Sequence, residues 1–133
     1  MWYSFTENPE MIQAVYKEDI PLLNNIFLQE IQIINGEDVH CYLRFDLKIL
    51  PKSMPSKWSL KNVNTVQFDI ALTCAQILSF NTIGGDCIGS LDMVLENDIK
   101  KVSFSANKKN IFIISSKWIT IRSIAGYFQD GVS

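Results

Sequence analysis

Apolar and polar residues alternate over most of the chain, and the alternation is clearest in residues 39–47. There Val39, Cys41, Leu43, Phe45 and Leu47 fall on one side and His40, Tyr42, Arg44 and Asp46 on the other, the period-2 signature of a strand with one covered face. The run Ile26–Ile34 precedes it, and the link Asn35-Gly36-Glu37-Asp38 holds an Asn-Gly pair that tolerates positive φ. An antiparallel hairpin is therefore predicted. A third strand is predicted over residues 63–73, with Val66, Phe68, Ile70 and Leu72 inward and Gln67 and Asp69 outward. Further strands are predicted over 75–81, 90–95, 101–106, 111–115 and 118–124, with Asn107-Lys108-Lys109-Asn110 as a polar hairpin turn.

A helical period is confined to the N-terminal region. Asn8 is placed to accept hydrogen bonds from first-turn amides, Pro9 suits the first helical position and Glu10 favours the positive end of the dipole. Met11, Ile12, Val15 and Tyr16 then share a face, and Pro21 stops the helix at a length of about nine residues. Residues 48–62 break the alternation: Pro51 and Pro55 punctuate them, Lys48, Lys52, Lys57 and Lys61 charge them, and no acid is present. Connections this long are often functional, so Lys57 and Trp58 form one candidate recognition patch. In the competing reading Trp58 plugs the core beneath a crossover and the lysines are solvated. Eight short strands with one covered face each call for a sandwich or a barrel. The expectation is a mainly β, single domain over 1–133: an antiparallel two-layer β-sandwich of about eight strands, its one short N-terminal helix covering an edge or an open end.

Composition fits one globular core, with 133 residues, 47% apolar and 20% charged. No apolar run is long enough for a spanning helix and the first residues lack the features of a signal peptide, so no membrane contact and a cytoplasmic address are expected. The net charge of −2 argues against general nucleic-acid binding. Its distribution is uneven. Up to Leu47 eight acids face two bases, and beyond it six acids face ten bases. An acidic surface carrying Glu37, Asp38 and Asp46 would suit a basic protein partner, unless folding intermixes the two segments. Cys41, Cys74 and Cys87 are odd in number and form no Cys-x-x-Cys pair, which fits a reducing compartment, with Cys41 and Cys74 buried and Cys87 exposed.

Catalytic signatures are missing. His40 is the single histidine, and the adjacent Cys41 points to the opposite strand face, so no Cys-His couple forms. Asp46 and Asp69 both face outward, where carboxylates are ordinarily solvated. Gly84-Gly85 lacks the Lys-Ser/Thr of a P-loop and reads as a tight turn. No catalytic residue, metal ligand or cofactor is predicted. Trp58, Trp118 and Tyr42 leave room for an alternative, a β-sandwich that stacks a carbohydrate or small ligand on aromatic rings.

Several short motifs occur in a telling order. Met1-Trp2-Tyr3, Asn8-Pro9 with a helix through Tyr16, Arg44-Phe45-Asp46-Leu47, Pro51 and Pro55 with Lys57-Trp58, and Asn64-Thr65-Val66-Gln67 together cover residues 1 to 73. In this set the chain resembles the immunity protein 50 family of bacterial polymorphic toxin systems. The resemblance implies a small, mostly β, cytoplasmic protein encoded beside a toxin that binds that toxin and blocks it, and implies no enzyme. Nuclease is the expected toxin class, since a basic nucleic-acid site would attract an acidic inhibitor. Inhibition is expected to be stoichiometric occlusion through Glu37, Asp38 and Asp46 or through Lys57 and Trp58. The motif positions Trp2, Asn8, Asp46 and Trp58 have a competing role in maintaining the fold.

Overall fold

The computed structural model describes residues 1–81 and 87–130, so the Gly84-Gly85 turn lies outside the described residues. Six strands are described: β1 (Ile26–Ile34), β2 (His40–Leu47), β3 (Thr65–Phe80), β4 (Ile88–Glu96), β5 (Ile99–Ala106) and β6 (Lys109–Tyr127). They form one antiparallel sheet that closes into a barrel in the order β1-β2-β3-β6-β5-β4. The seam is short, with Ile26 opposite Gly89 and Phe27 opposite Ile88. A 3-10 turn (Trp2–Phe5) and two short helices, α1 (Glu10–Tyr16) and α2 (Ser56–Leu60), complete the described elements.

Six strands in a closed sheet replace the eight strands and two layers expected from the sequence, and the reason is a phase slip shared by β3 and β6. In β3 the inward positions run Val66, Phe68, Ile70, Leu72 and then resume at Ala75 and Ile77. In β6 Phe112, Ile114 and Ser116 are buried, and burial resumes at Ile119 and Ile121. Each strand thus skips two residues instead of one at the same height, since Thr73 pairs with Trp118 and Ala75 with Ser116. Such a slip reads as a strand boundary in sequence. In the fold it is a bend, made where Cys74 adopts φ 49°. The Ser116 hydroxyl lies 2.7 Å from the Thr73 carbonyl and 2.8 Å from that of Trp118, so its one proton serves the two acceptors opened by the bend in turn.

Bending lets each long strand serve two halves of the wall. The first half of β3 pairs with β2 and its whole length with β6, while β5 pairs with β6 only over residues 109–116. Past that point the outer edge of β6 needs other partners. The N-terminal segment supplies them. Glu7 N donates to the Ile119 carbonyl at 2.8 Å, and the Asn8 side chain both donates to the Ile121 carbonyl (2.8 Å) and accepts from the Ile121 amide (2.9 Å). Asn8 is thus not the helix cap read from the sequence. Pro9 holds the cap position without a side-chain bond, and the Asn8 amide acts as one unit of strand. The residues just before the helix thus cover this edge, while the helix turns Ile12 and Tyr16 into the core.

The interior is filled by the inward positions of all six strands, Phe45, Phe68, Phe104 and Phe112 being the largest. Trp2 and Tyr16 enter from the N-terminal segment and pack on Phe68, which also stacks on Phe45 at 5.3 Å. Their polar atoms are matched as burial requires: Trp2 Nε1 donates to the Pro21 carbonyl at 2.9 Å and Tyr16 OH to the Ile49 carbonyl at 2.6 Å. No described helix is long and apolar enough to cross a membrane.

Candidate functional site

The residues singled out in the sequence separate into two groups. Glu37 and Asp38 are exposed in the turn between β1 and β2 and form no ion pair among the described residues. Lys57 is exposed on α2. Asp46 and Trp58 are committed to the fold.

Asp46 occupies the outer face of β2, as alternation predicts, yet is only 3% exposed. Gln29 Nε2 (2.7 Å) and Gln67 Nε2 (3.1 Å) donate to its two oxygens, and the Tyr127 hydroxyl donates to Oδ2. Burial, the hydrogen bond to Asp46 and its negative charge together push the Tyr127 phenol well above its ordinary pKa. This carboxylate is therefore a clamp between β1, β2, β3 and β6, and no longer the solvated outer-face group expected. With its oxygens held by three donors it is not available to form an acid-base pair with Asp69.

Trp58 projects from α2 against Gly126, where an added Cβ would lie 2.6 Å from the indole. It packs on the core as a plug, and α2 itself was read from sequence as an irregular loop. Trp2 and Asn8 are equally structural, through Pro21 and Ile121. The four motif positions thus each tie separate segments of the barrel together. Cys87 is buried, contrary to expectation, and burial raises the thiol pKa of both Cys41 and Cys87 and so lowers their reactivity.

Polar groups instead converge on the outer wall of β1, β2, β3 and β6. In cross-strand register Glu30 faces Arg44 and Arg44 faces Asp69, while in the next row Gln32, Tyr42, Ala71 and Thr120 lie side by side. Arg44 donates to Glu30 at 3.2 Å. The Arg122 guanidinium lies over the Tyr42 ring, 4.3 Å from its centre, and 3.6 Å from Asp69 Oδ1. These side chains enclose a notch of about 170 Å³. Asp69 Oδ1 is buried with no hydrogen-bond donor. Sequence reasoning placed Tyr42, Arg44 and Asp69 on the outer face but missed Arg122. The alternation Ile119, Thr120, Ile121, Arg122 already turns Arg122 outward; what it lacks is the pairing that brings β6 beside β3 and β2.

The notch is not an aromatic platform. Trp118 and Tyr42 share the wall, but Arg122 covers Tyr42 and Trp58 is on the inner side under Gly126, so the three rings considered for ligand stacking are not assembled. A larger cleft of about 430 Å³ between residues 22–25 and 47–49 has one charged lining residue, Lys48, whose Nζ is held by Thr65 and Gln129. Among the described residues no group of three His, Cys, Asp or Glu comes together as a metal site.

Comparison with known proteins agrees with the motif reading and extends it. The family model for immunity protein 50 matches residues 8–127, which includes the second half of the barrel. No curated protein and no solved structure matches the chain. A match over most of the chain, together with motif residues that each hold part of the barrel in place, makes the protein a member of the immunity protein 50 family.

Proposed function

We propose that this protein is the stoichiometric, non-enzymatic inhibitor of a bacterial polymorphic toxin domain encoded by a neighbouring gene, acting in the cytoplasm by occluding the toxin. The observation that carries this reading is the family match over residues 8–127. The geometry is consistent with it. Trp2, Asn8, Asp46 and Trp58 hold the barrel together, and the exposed outer surface around them is left for recognition of a particular partner. The toxin class is a nuclease. Its basic substrate site is drawn to the acids at the β1–β2 turn, Glu37 and Asp38, and exposed Lys57 marks a second contact region. A contact of the usual size for a tight inhibitor, about 1,200 to 2,000 Å², covers a substantial part of so small a barrel and denies the toxin its substrate.

Growth rescue tests the function. Cells expressing the toxin domain from the adjacent gene survive when this protein is co-expressed, and the two co-purify at one to one. An actively toxic domain that still kills cells containing the soluble, folded protein overturns immunity for that pair.

A further inference from the structure

Surface charge on the β1–β2–β3–β6 wall is arranged so that its accessible part differs from its sum. Glu30, Arg44, Asp69 and Arg122 cancel on paper. Arg122 and Arg44 have side chains 48% and 42% exposed, and Glu30 is 50% exposed, but Asp69 is 26% exposed with Oδ1 buried behind Arg122. What a partner meets is therefore two guanidinium groups against one carboxylate. The hydrogen-bond inventory points the same way. Arg44 uses one N–H, toward Glu30, and Arg122 makes no hydrogen bond among the described residues, since its approach to Asp69 is 3.6 Å.

Arg122 is nevertheless not loose. The Tyr42 ring beneath it and the charge of Asp69 beside it hold the guanidinium group in place, which lowers the side-chain entropy lost on binding. A fixed guanidinium with unused donors is complementary to a carboxylate, which it binds through two parallel N–H···O bonds. Beyond the notch, toward Thr73, the wall continues through the small residues Ala71, Thr73 and Thr120 to Trp118, which is 45% exposed. Arginine, tyrosine and tryptophan around a shelf of small side chains is the composition of an interface centre.

Resting on the immunity reading, we infer that this wall is the centre of the toxin contact and that Arg122, lying over the Tyr42 ring, receives an aspartate or glutamate side chain of the toxin. Arg44 lines the same notch and supplies further donors, and Trp118 anchors the apolar flank. The acidic turn at Glu37 and Asp38 then governs approach, while the Arg122 wall governs how long the complex lasts.

The test is titration calorimetry of the purified protein against the toxin domain encoded by the adjacent gene, with the thermal midpoint of each free variant recorded in parallel. Arg122→Ala weakens binding by about 30-fold or more, and Arg122→Lys, which keeps the charge but loses the fork, by about tenfold, with midpoints close to wild type. Trp118→Ala also weakens binding by about tenfold, and Lys109→Ala, exposed at the start of β6 and at the opposite end of that strand from Arg122, leaves it unchanged. If wild type binds and Arg122→Ala binds within about twofold of it, the wall is not the contact and immunity still stands. If wild type fails to bind an actively toxic domain, both readings fall.

Discussion

Gln29, Gln67 and Tyr127 reach Asp46 from three different strands, and that convergence decides what the residue does. Alternation in β2 gives its direction correctly, but burial comes from neighbours that are distant in sequence, so a carboxylate legible as outward was not legible as covered. Asp46→Ala leaves three donors without their acceptor and is expected to lower unfolding free energy by about 2–3 kcal/mol in urea denaturation, whereas Lys57→Ala on the open face of α2 stays within about 0.5 kcal/mol. The same clamp has a pH signature. Tyr127 and Tyr16 hold their phenolic protons above the ordinary pKa of 10.0, Tyr16 through burial and Tyr127 through burial and Asp46. Below pH 10 both phenols are protonated in folded and unfolded chains alike, and their contribution to stability is fully present. Above it the unfolded chain releases protons that the folded chain retains, so stability falls as pH rises, by up to about 1.4 kcal/mol per pH unit for buried Tyr16 and by less for Tyr127, which solvent screens more. Urea denaturation between pH 9 and 11 is expected to show this fall, and Tyr127→Phe to make it shallower; an unaltered slope would mean that the Asp46 clamp does not perturb the phenol.

Hairpin turns and strand bends carry the information at the level of elements, and they were unequally readable. Asn107-Lys108-Lys109-Asn110 reads as a turn by its polarity, and the structure narrows it to Asn107-Lys108, a two-residue link between paired Ala106 and Lys109 with φ of 53° and 63°, while Lys109 and Asn110 begin β6. Asn97-Asp98 does the same for β4 and β5, with φ of 51° and 65°. Both links have the positive angles of the turn type whose twist matches a hairpin. Lys108 is strained there in a way glycine is not, so Lys108→Gly is expected to stabilise by about 0.5–1 kcal/mol, read as a rise of a few degrees in thermal midpoint. Gly89→Ala acts in the opposite sense. A methyl group at Gly89 would be driven into the Ser105 carbonyl and wedge β4 from β5 beside the β1–β4 seam, a loss of about 1–3 kcal/mol that the same melting experiment measures. The bends at Cys74 and Lys117 misled the sequence reading for a physical reason. A change of inward phase signals either a strand end or a bend, and without Gly or Pro at residues 73–75 and 116–118 the signal for a turn was the slip alone.

For the whole molecule, closure of the barrel determines where charge ends up. Read along the chain, the first 47 residues are acidic and the rest basic, but the fold brings Lys52 to Asp19 at 3.3 Å and Lys100 to Glu7 at 3.9 Å, so part of the asymmetry cancels on the surface. Only contacts between distant segments reveal this, which is why charge counting by segment overstated the acidic face. Glu37 and Asp38 escape the cancellation because the β1–β2 turn projects past the last contact between β2 and β3, where Ala75 N donates to the Val39 carbonyl. Reversing both, Glu37→Lys with Asp38→Lys, changes the net charge from −2 to +2, since each reversal adds two. The turn is exposed and its side chains support nothing, so folding is expected to be unaffected. If the turn steers a basic toxin, association slows by about tenfold at low salt and the rate loses most of its dependence on ionic strength, while dissociation of the formed complex changes little. Stopped-flow association at two ionic strengths separates the cases. A slower rate with a flattened salt response assigns steering to the turn, whereas an unchanged rate at low salt removes Glu37 and Asp38 from the encounter and leaves the arginine-bearing wall to account for recognition alone.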